Sequence, residues 1–377
     1  MNTEKNGVIV FNNGEYIYGN VIGANIAETN GELCFNTATT GYQEILTDPS
    51  YAKQIIVFSF PHIGNVGSNS KDNESTVKPV AQGCVFREMP TNQSNYRANE
   101  NFEEFLQKRN MLAICNVDTR HIVEKIRKGE IGSCIISRNV TDIHNLIAKV
   151  KSLKSTKGED LASEGSCQQS YKYCDGTKTV AVIDYGIKNN MLELLKTRGV
   201  AVYVFPHNAK YAEIANIKPD GVLLSNGPGD PVATLPHTKQ TILHLMQNHI
   251  PIFGICLGHQ LIALTLGAKV EKLEQGHRGV NHPVMNYDKK TVEITTQNHG
   301  FACLDDNIPK HIEITHRSLF DGIIEGISLK KGIDIEIDGV KIQNAGTVFS
   351  VQYHPESSGG PHDSMYLFDN FITSLKC

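Results

Sequence analysis

The second half of the chain alternates continuous apolar runs with amphipathic stretches, and this rhythm limits the folds open to it. The runs Thr179–Ile183, Gly221–Leu224 and Ile250–Ile255 lack the polar alternation of a half-exposed strand, which is typical of strands buried on both faces. Helical stretches alternate with these runs, at residues 190–198, 238–248 and 259–266. The pattern predicts a mostly parallel α/β sheet flanked by helices, in which sites collect at the carboxyl ends of the strands.

The length of the chain predicts two domains, because 377 residues exceed what one ordinary hydrophobic core holds. Residues 1–152 mix turns with strand-like runs such as Gly7–Phe11 and Gln54–Phe58, which indicates a separate mixed α/β domain. Residues 153–177 are polar and rich in Ser, Gln and Gly, so we expect a linker there. Residues 178–377 would form the parallel α/β domain.

Composition excludes several classes of function. A net charge of -4 gives no basic surface for nucleic acid, and no apolar run approaches the roughly 20 residues of a membrane span. The segment 1–7 lacks the pattern of a secretory signal, so we expect a cytoplasmic protein. Nine cysteines without a C-x-x-C pair indicate neither a zinc site nor a disulfide framework. The chain also lacks G-x-G-x-x-G and Walker-type phosphate loops, which argues against nucleotide binding by those routes.

One cysteine occupies a position suited to nucleophilic chemistry. Cys256 lies where a buried strand runs into a helix, in the pattern Gly254-Ile-Cys-Leu-Gly258. Glycines two residues before and after it allow close strand–helix packing, and the helix amino terminus favours a thiolate. The alternative is a buried cysteine between two packing glycines.

Two further segments of the same domain supply partners for such a cysteine. His354-Pro355-Glu356 follows another apolar strand, so Glu356 would orient His354 as the base that a cysteine nucleophile needs. The segment Ser225–Pro231 also follows a strand and contains Gly-Pro-Gly. It is either an ordinary turn or a source of backbone N–H groups for an oxyanion, together with the N–H of Leu257.

These motifs together resemble the class I, triad-type glutamine amidotransferases. The segments that carry this resemblance are Gly254–Gln260, Ser225–Pro231 and His354–Glu356. Others are similar to the small subunits of carbamoyl-phosphate synthases: Thr39–Tyr51, Phe60–Asn65, Asp118–Arg120, Asp184–Lys188 and Gln297–Phe301. The resemblance covers nearly the whole chain, with departures at Gln275 and at Tyr353, where Phe or Gly is common in the family.

The resemblance implies a glutaminase that forms a cysteinyl thioester and passes ammonia to a partner. Cys256 would be the nucleophile, His354 the general base and acid, and Glu356 its orienting partner. Glutamine contacts would fall on Ser50, Gly227, Gly229, Leu257, Gln260, Asn298, Gly300 and Phe301. Ser50 would bring the amino-terminal domain to the site, and the N–H groups of Gly229 and Leu257 would form the oxyanion hole.

The resemblance also implies a large synthetase subunit that uses the ammonia to make carbamoyl phosphate from bicarbonate. That partner would bind ATP and Mg²⁺, so no cofactor or metal is expected in this chain. Two alternatives stay open. One is a stand-alone Cys-His hydrolase of the same fold, and the other is a non-catalytic scaffold that regulates a partner.

Overall fold

The computed structural model describes residues 5–75 and 80–375. The chain divides into two compact units, Met1–Thr156 and Lys157–Cys377. Residues 1–4, which belong to the segment 1–7 that lacks the pattern of a secretory signal, lie outside the described part. No helix in the described part is long and apolar enough to cross a membrane.

Among its described residues, the first unit is built on a closed barrel of seven strands. The strands are β1 Gly7–Phe11, β2 Tyr16–Gly23, β3 Glu28–Asn36, β4 Gln54–Phe58, β5 Gly83–Val85, β6 Leu112–Cys115 and β7 Ser133–Ser137. Its helices are α1 Tyr42–Thr47, α2 Phe102–Lys108, α3 Thr119–Arg127 and α4 Ile143–Lys151, with a 3₁₀ turn at Pro49–Tyr51. The order around the barrel is β1-β2-β6-β5-β4-β3-β7, and β7 pairs with β1 to close it. Closure leaves the sheet without an exposed edge.

Alternation along the barrel strands explains why this unit needs helices outside the barrel. On β4, Ile55 and Val57 belong to an apolar cluster to which all seven strands contribute, which is the barrel interior. Ile56 and Phe58, on the other face of the same strand, pack in a cluster with α1 and α2. Both faces of β4 are therefore buried, as its continuous apolar sequence requires.

The second unit contains one large sheet with helices on both faces. Its strands are β8 Tyr171–Cys174, β9 Thr179–Asp184, β10 Ala201–Pro206, β11 Gly221–Leu224, β12 Ile252–Ile255, β13 Val270–Asn286, β14 Thr291–Cys303, β15 Ile312–Ser318, β16 Ile324–Leu329, β17 Ile335–Ile337, β18 Val340–Ile342 and β19 Val348–Val351. Its helices are α5 Ala162–Gly165, α6 Asn189–Thr197, α7 Tyr211–Ala215, α8 Pro231–Gln247, α9 Leu257–Thr265 and α10 Tyr366–Ser374. The ten-stranded order is β14-β13-β15-β16-β19-β12-β11-β9-β10-β8, and β17 pairs separately with β18.

The centre of this sheet is parallel, as the strand–helix rhythm predicts. Strands β10, β9, β11, β12 and β19 run parallel. Along β9, Ala181 and Ile183 pack in a core with α8 and α9, while Val180 and Val182 pack in a second core with α6 and α10. The two cores account for the unbroken apolar sequence of this strand.

Two features of the second unit differ from the sequence-based description. An antiparallel extension, β16, β15, β13 and β14, continues the parallel centre beyond β19. The segment 153–177, expected as a linker, contains α5 and the edge strand β8, which pairs antiparallel with β10. Its polar composition is that of an exposed edge strand as well as that of a linker.

Candidate active site

Cys256 stands at a sharp turn between β12 and α9. Its backbone has φ 54° and ψ −104°, outside the regions that residues other than glycine normally adopt. Its N–H donates to Val351 O at 2.9 Å, which ties the turn to the neighbouring strand β19. A Cβ on Gly258 would lie 2.2 Å from Leu224 O, and one on Gly254 would lie 2.9 Å from Gly258 O. Both glycines are therefore required by close packing around the cysteine.

His354 and Glu356 follow β19, the strand parallel and adjacent to β12. His354 Nδ1 lies 2.7 Å from Glu356 Oε1. This contact leaves Nε2 for the cysteine, and Nε2 has no other hydrogen-bond partner in the described part of the chain. Cys256 is near enough to raise the pKa of the His354 ring. The structure thus brings together the three residues that the sequence analysis singled out for catalysis.

Cys256, His354 and Glu356 form a row of contacting side chains, and Lys188 extends it beyond Glu356. The sequence analysis assigns Lys188 no role. Its Nζ lies 2.8 Å from Glu356 Oε1, and both side chains are almost fully buried. Lys188 follows β9 at its carboxyl end, and its N–H donates to Asn226 Oδ1 on the loop after β11. A lysine in the short loop between a buried parallel strand and the next helix is the available signal, because such loops lie at the site edge of the sheet.

The charges of this row depend on one another. Burial raises the pKa of the Glu356 carboxyl, but Lys188 and His354 outweigh it and hold that pKa well below its usual range. Burial and Lys188 lower the pKa of His354, yet Glu356 and Cys256 prevail and raise it above the ordinary histidine value. The row therefore favours a carboxylate beside an imidazolium at neutral pH.

The glycine loop after β11 lies beside the elbow. Gly258 N donates to Ser225 O at 3.0 Å, so the loop is anchored at the start of α9. Gly229 has φ 99°, and a Cβ there would lie 2.7 Å from Leu161 N. Asp230 caps α8 by accepting from Val232 N, and it also accepts from Gly158 N at 2.8 Å. The cap and the close approach fix the course of the loop.

Strand β14 forms the opposite wall of the site. The Cys256 thiol lies 3.6 Å from Asn298 O, in the geometry of a weak hydrogen bond. Gln260 Nε2 donates to Phe301 O at 2.9 Å and to Gln352 Oε1 at 3.0 Å. Asn298, Gly300 and Phe301 are thus on the strand that faces the nucleophile, whereas the amide nitrogen of Gln260 is engaged within the protein.

Leu257 is the first residue of α9, where backbone N–H groups have no acceptor inside the helix. Its N–H is therefore available beside the sulfur, as an oxyanion donor must be. Gly227, another predicted contact, lies in the loop after β11, where an added Cβ would lie 2.3 Å from Tyr185 O. Ser50, the last predicted contact, lies in the 3₁₀ turn of the first unit, where Asp48 accepts from its N–H at 2.8 Å. Its contact with glutamine stays a prediction.

Comparison with known proteins defines the class to which this fold and site belong. The family model for glutamine amidotransferase class-I matches residues 181–374, which include the elbow, the glycine loop and the His-Pro-Glu segment. A crystal structure of a glutamine amidotransferase from Thermotoga maritima aligns at 17% identity and TM-score 0.36, over 48% of this chain and 76% of that chain. The second unit is a class-I glutamine amidotransferase domain.

The first unit narrows the assignment. The family model for the CPSase domain of the carbamoyl-phosphate synthase small chain matches residues 9–136. The carbamoyl phosphate synthase small chain of Pectobacterium atrosepticum is 42% identical, over 99% of this chain and 98% of the relative. The carbamoyl phosphate synthase small chain of Bartonella quintana is 44% identical, over 98% of this chain and 94% of that relative. The chain belongs to the carbamoyl phosphate synthase small chain family.

Proposed function

We propose that this chain hydrolyses L-glutamine at Cys256 and delivers the ammonia to a carbamoyl-phosphate synthase large chain. The observation that carries the proposal is the buried row from Cys256 through His354 and Glu356 to Lys188, beyond the carboxyl ends of the parallel strands β12, β19 and β9. A sulfur nucleophile, a base and an orienting carboxylate are the parts that acyl transfer needs.

The first step forms a thioester. The Cys256 thiolate attacks the side-chain amide carbon of glutamine, and the N–H groups of Gly229 and Leu257 stabilise the negative charge on the carbonyl oxygen. The imidazolium of His354 donates its Nε2 proton to the amide nitrogen as the carbon–nitrogen bond breaks. Ammonia leaves, and a γ-glutamyl thioester stays on the sulfur.

The second step hydrolyses the thioester and regenerates the free cysteine. Neutral His354 accepts a proton from a water molecule as that water attacks the thioester carbon. Glutamate leaves, and the pair of thiolate and imidazolium is restored. Because Glu356 raises the pKa of His354, the ring carries the proton that the leaving ammonia requires.

Substrate recognition would come from the residues around this row. We propose glutamine contacts by Ser50, Gly227, Gly229, Leu257, Gln260, Asn298, Gly300 and Phe301. Asn298 supports this proposal because its carbonyl already lies 3.6 Å from the sulfur, on the wall that a bound glutamine would touch.

The large chain would supply the rest of the reaction. We propose that it binds ATP and Mg²⁺, receives the ammonia through a channel and makes carbamoyl phosphate from bicarbonate in the cytoplasm. The small-chain relatives support a paired enzyme, because a small chain implies a large one.

The test is Cys256→Ser in a complex with the large chain. Synthesis from glutamine should fall to background, while synthesis from added ammonia should stay within about twofold of the wild type, because only the nucleophile is lost. Loss of both activities together would contradict the proposal. Full glutaminase activity that does not respond to the large chain would favour the stand-alone Cys-His hydrolase instead.

A further inference from the structure

Two histidines and a glutamate meet inside the antiparallel extension of the second unit. His277 on β13 lies directly across from His299 on β14, and Glu325 is on β16. They are 9%, 4% and 0% exposed. One nitrogen or oxygen from each lies within 4.8 Å of those from the other two. The mechanism above uses none of them.

The hydrogen bonds of His299 fix which nitrogen carries the proton. Nδ1 lies 2.8 Å from Phe301 O, and a carbonyl oxygen can only accept, so Nδ1 must donate. Nε2 then presents a lone pair in the neutral ring, and this buried atom has no hydrogen-bond partner in the described part of the chain. It faces Glu325 Oε1 at 3.8 Å. Two electron-pair donors that face each other away from water are unfavourable unless a proton or a metal cation lies between them.

The surrounding contacts orient the other two side chains toward the same point. His277 Nε2 lies 2.8 Å from Asp321 Oδ2, so its N–H can donate outward while Nδ1 faces Glu325 Oε1 at 3.2 Å. Glu325 Oε2 accepts from Gln297 Nε2 at 2.9 Å, which leaves Oε1 for the centre. A carboxylate behind a histidine is the usual support of a histidine that binds a metal.

We propose that His277 Nδ1, His299 Nε2 and Glu325 Oε1 bind a zinc ion. Zn²⁺ prefers nitrogen, sulfur and carboxylate ligands in tetrahedral geometry at about 2.0–2.2 Å, which places ligand atoms roughly 3.3 Å apart. The distances from Glu325 Oε1 to His277 Nδ1, 3.2 Å, and to His299 Nε2, 3.8 Å, are already close to this spacing. Mg²⁺ and Ca²⁺ prefer oxygen ligands alone, so two histidine nitrogens do not suit them. A water molecule would be the fourth ligand of the zinc ion. On binding, His277 releases its Nδ1 proton to solvent.

The proposed zinc site lies on the strand that forms one wall of the glutamine site. His299 lies between Asn298 and Gly300 on β14, and Asn298 O contacts the Cys256 thiol. Zinc bound to His299 and to the two neighbouring strands would brace the strand that forms the wall of the glutamine site. Sequence spacing did not predict this group because its members come from three separate strands.

The test measures zinc binding by the metal-free full chain, with no dependence on glutaminase activity. The wild type should bind one Zn²⁺ per chain, and its thermal midpoint should rise with zinc concentration. Glu325→Gln, which keeps the shape and removes the charge, should abolish both effects. Asp321→Asn should weaken binding by about 10- to 100-fold, since it removes only the supporting carboxylate. His316→Asn, at a buried histidine outside the group, should bind like the wild type.

Co²⁺ shows which side chains bind, because free cysteines also attract zinc. The wild type should give the visible bands of a four-coordinate cobalt site without a thiolate charge-transfer band. Wild-type protein that fails to bind zinc at micromolar concentration overturns the proposal, as does a thiolate band. If Glu325→Gln does not fold, the more conservative Asp321→Asn serves as the test, and an unchanged zinc affinity in that variant overturns the proposal as well.

Discussion

Replacing Glu356 by glutamine removes one negative charge from the buried catalytic row and keeps the shape of the side chain. Glu356 Oε1 contacts both His354 Nδ1, at 2.7 Å, and Lys188 Nζ, at 2.8 Å. A glutamine carbonyl oxygen at the same place still accepts from both. The substitution therefore isolates the charge of Glu356 from its position.

The distance sets the size of the effect. Opposite charges 2.7 Å apart attract by about 6 kcal/mol at an effective dielectric constant near 20, which corresponds to roughly four pKa units. Part of this attraction survives as a hydrogen bond to the amide oxygen, so we expect the pKa of His354 to fall by roughly 2–4 units. Burial and Lys188 both act to lower that pKa, and in the variant the charge of Glu356 no longer opposes them.

The assay is glutaminase activity of the complex from about pH 5 to about pH 10. In the wild type the raised pKa keeps His354 protonated through neutral pH, so the proton for ammonia is available. In Glu356→Gln the ring loses that proton at lower pH, and the alkaline limb of the profile should move toward acid. At neutral pH we expect kcat to fall by about 10²–10⁴-fold, the usual contribution of general acid–base catalysis.

The double variant Glu356→Gln/Lys188→Met is the control. It also removes the buried positive charge of Lys188, which lowers the pKa of His354, so that pKa should rise again and the alkaline limb should move partly back. A Glu356→Gln profile that keeps the wild-type limb would refute the charge argument. So would a double variant with the same profile as the single one.

Three further predictions concern packing and hydrogen bonds of the second unit. Gly258→Ala should lower the free energy of unfolding in urea by about 1–3 kcal/mol and reduce glutaminase activity, because the added Cβ would lie 2.2 Å from Leu224 O; unchanged stability would contradict the packing argument. Tyr353→Phe should raise the free energy of unfolding by about 1 kcal/mol, and with it the thermal midpoint, because the buried Tyr353 hydroxyl has no hydrogen-bond partner among the described residues. A loss of stability would show that the hydroxyl has such a partner. Asp230→Ala should cost about 1–2 kcal/mol in the same denaturation assay, because it removes the cap of α8 and the acceptor of Gly158 N, and Asp230→Asn should recover part of this loss.

Much of the second unit is predictable because local rules and the global fold agree there. Continuous apolar runs such as 179–183 can only be buried on both faces, and the structure places that run in the parallel centre as β9 Thr179–Asp184. Likewise Gly254 and Gly258 indicated a tight elbow, and the positive φ of Cys256 confirms it. The elbow was recognisable because it lies within five consecutive residues.

Features that join distant segments were not predictable from one sequence. Closure of the first unit depends on the pairing of β1 with β7, more than a hundred residues apart, which no local pattern specifies. The ion pair of Lys188 with Glu356 and the group around His299 arise in the same way, from side chains on different strands. The segment that forms the edge strand β8 has the polar composition of a linker, so its sequence alone does not distinguish the two.

We propose that glutamine hydrolysis by this chain passes through a thioester on Cys256. Acid quenching of the complex during turnover with glutamine, followed by peptide mass spectrometry, tests it directly. We predict a glutamyl adduct on the peptide that contains Cys256, absent from Cys256→Ser under the same conditions. A turning-over enzyme that accumulates the adduct on another cysteine, or that retains glutaminase activity in Cys256→Ser, would contradict the claim.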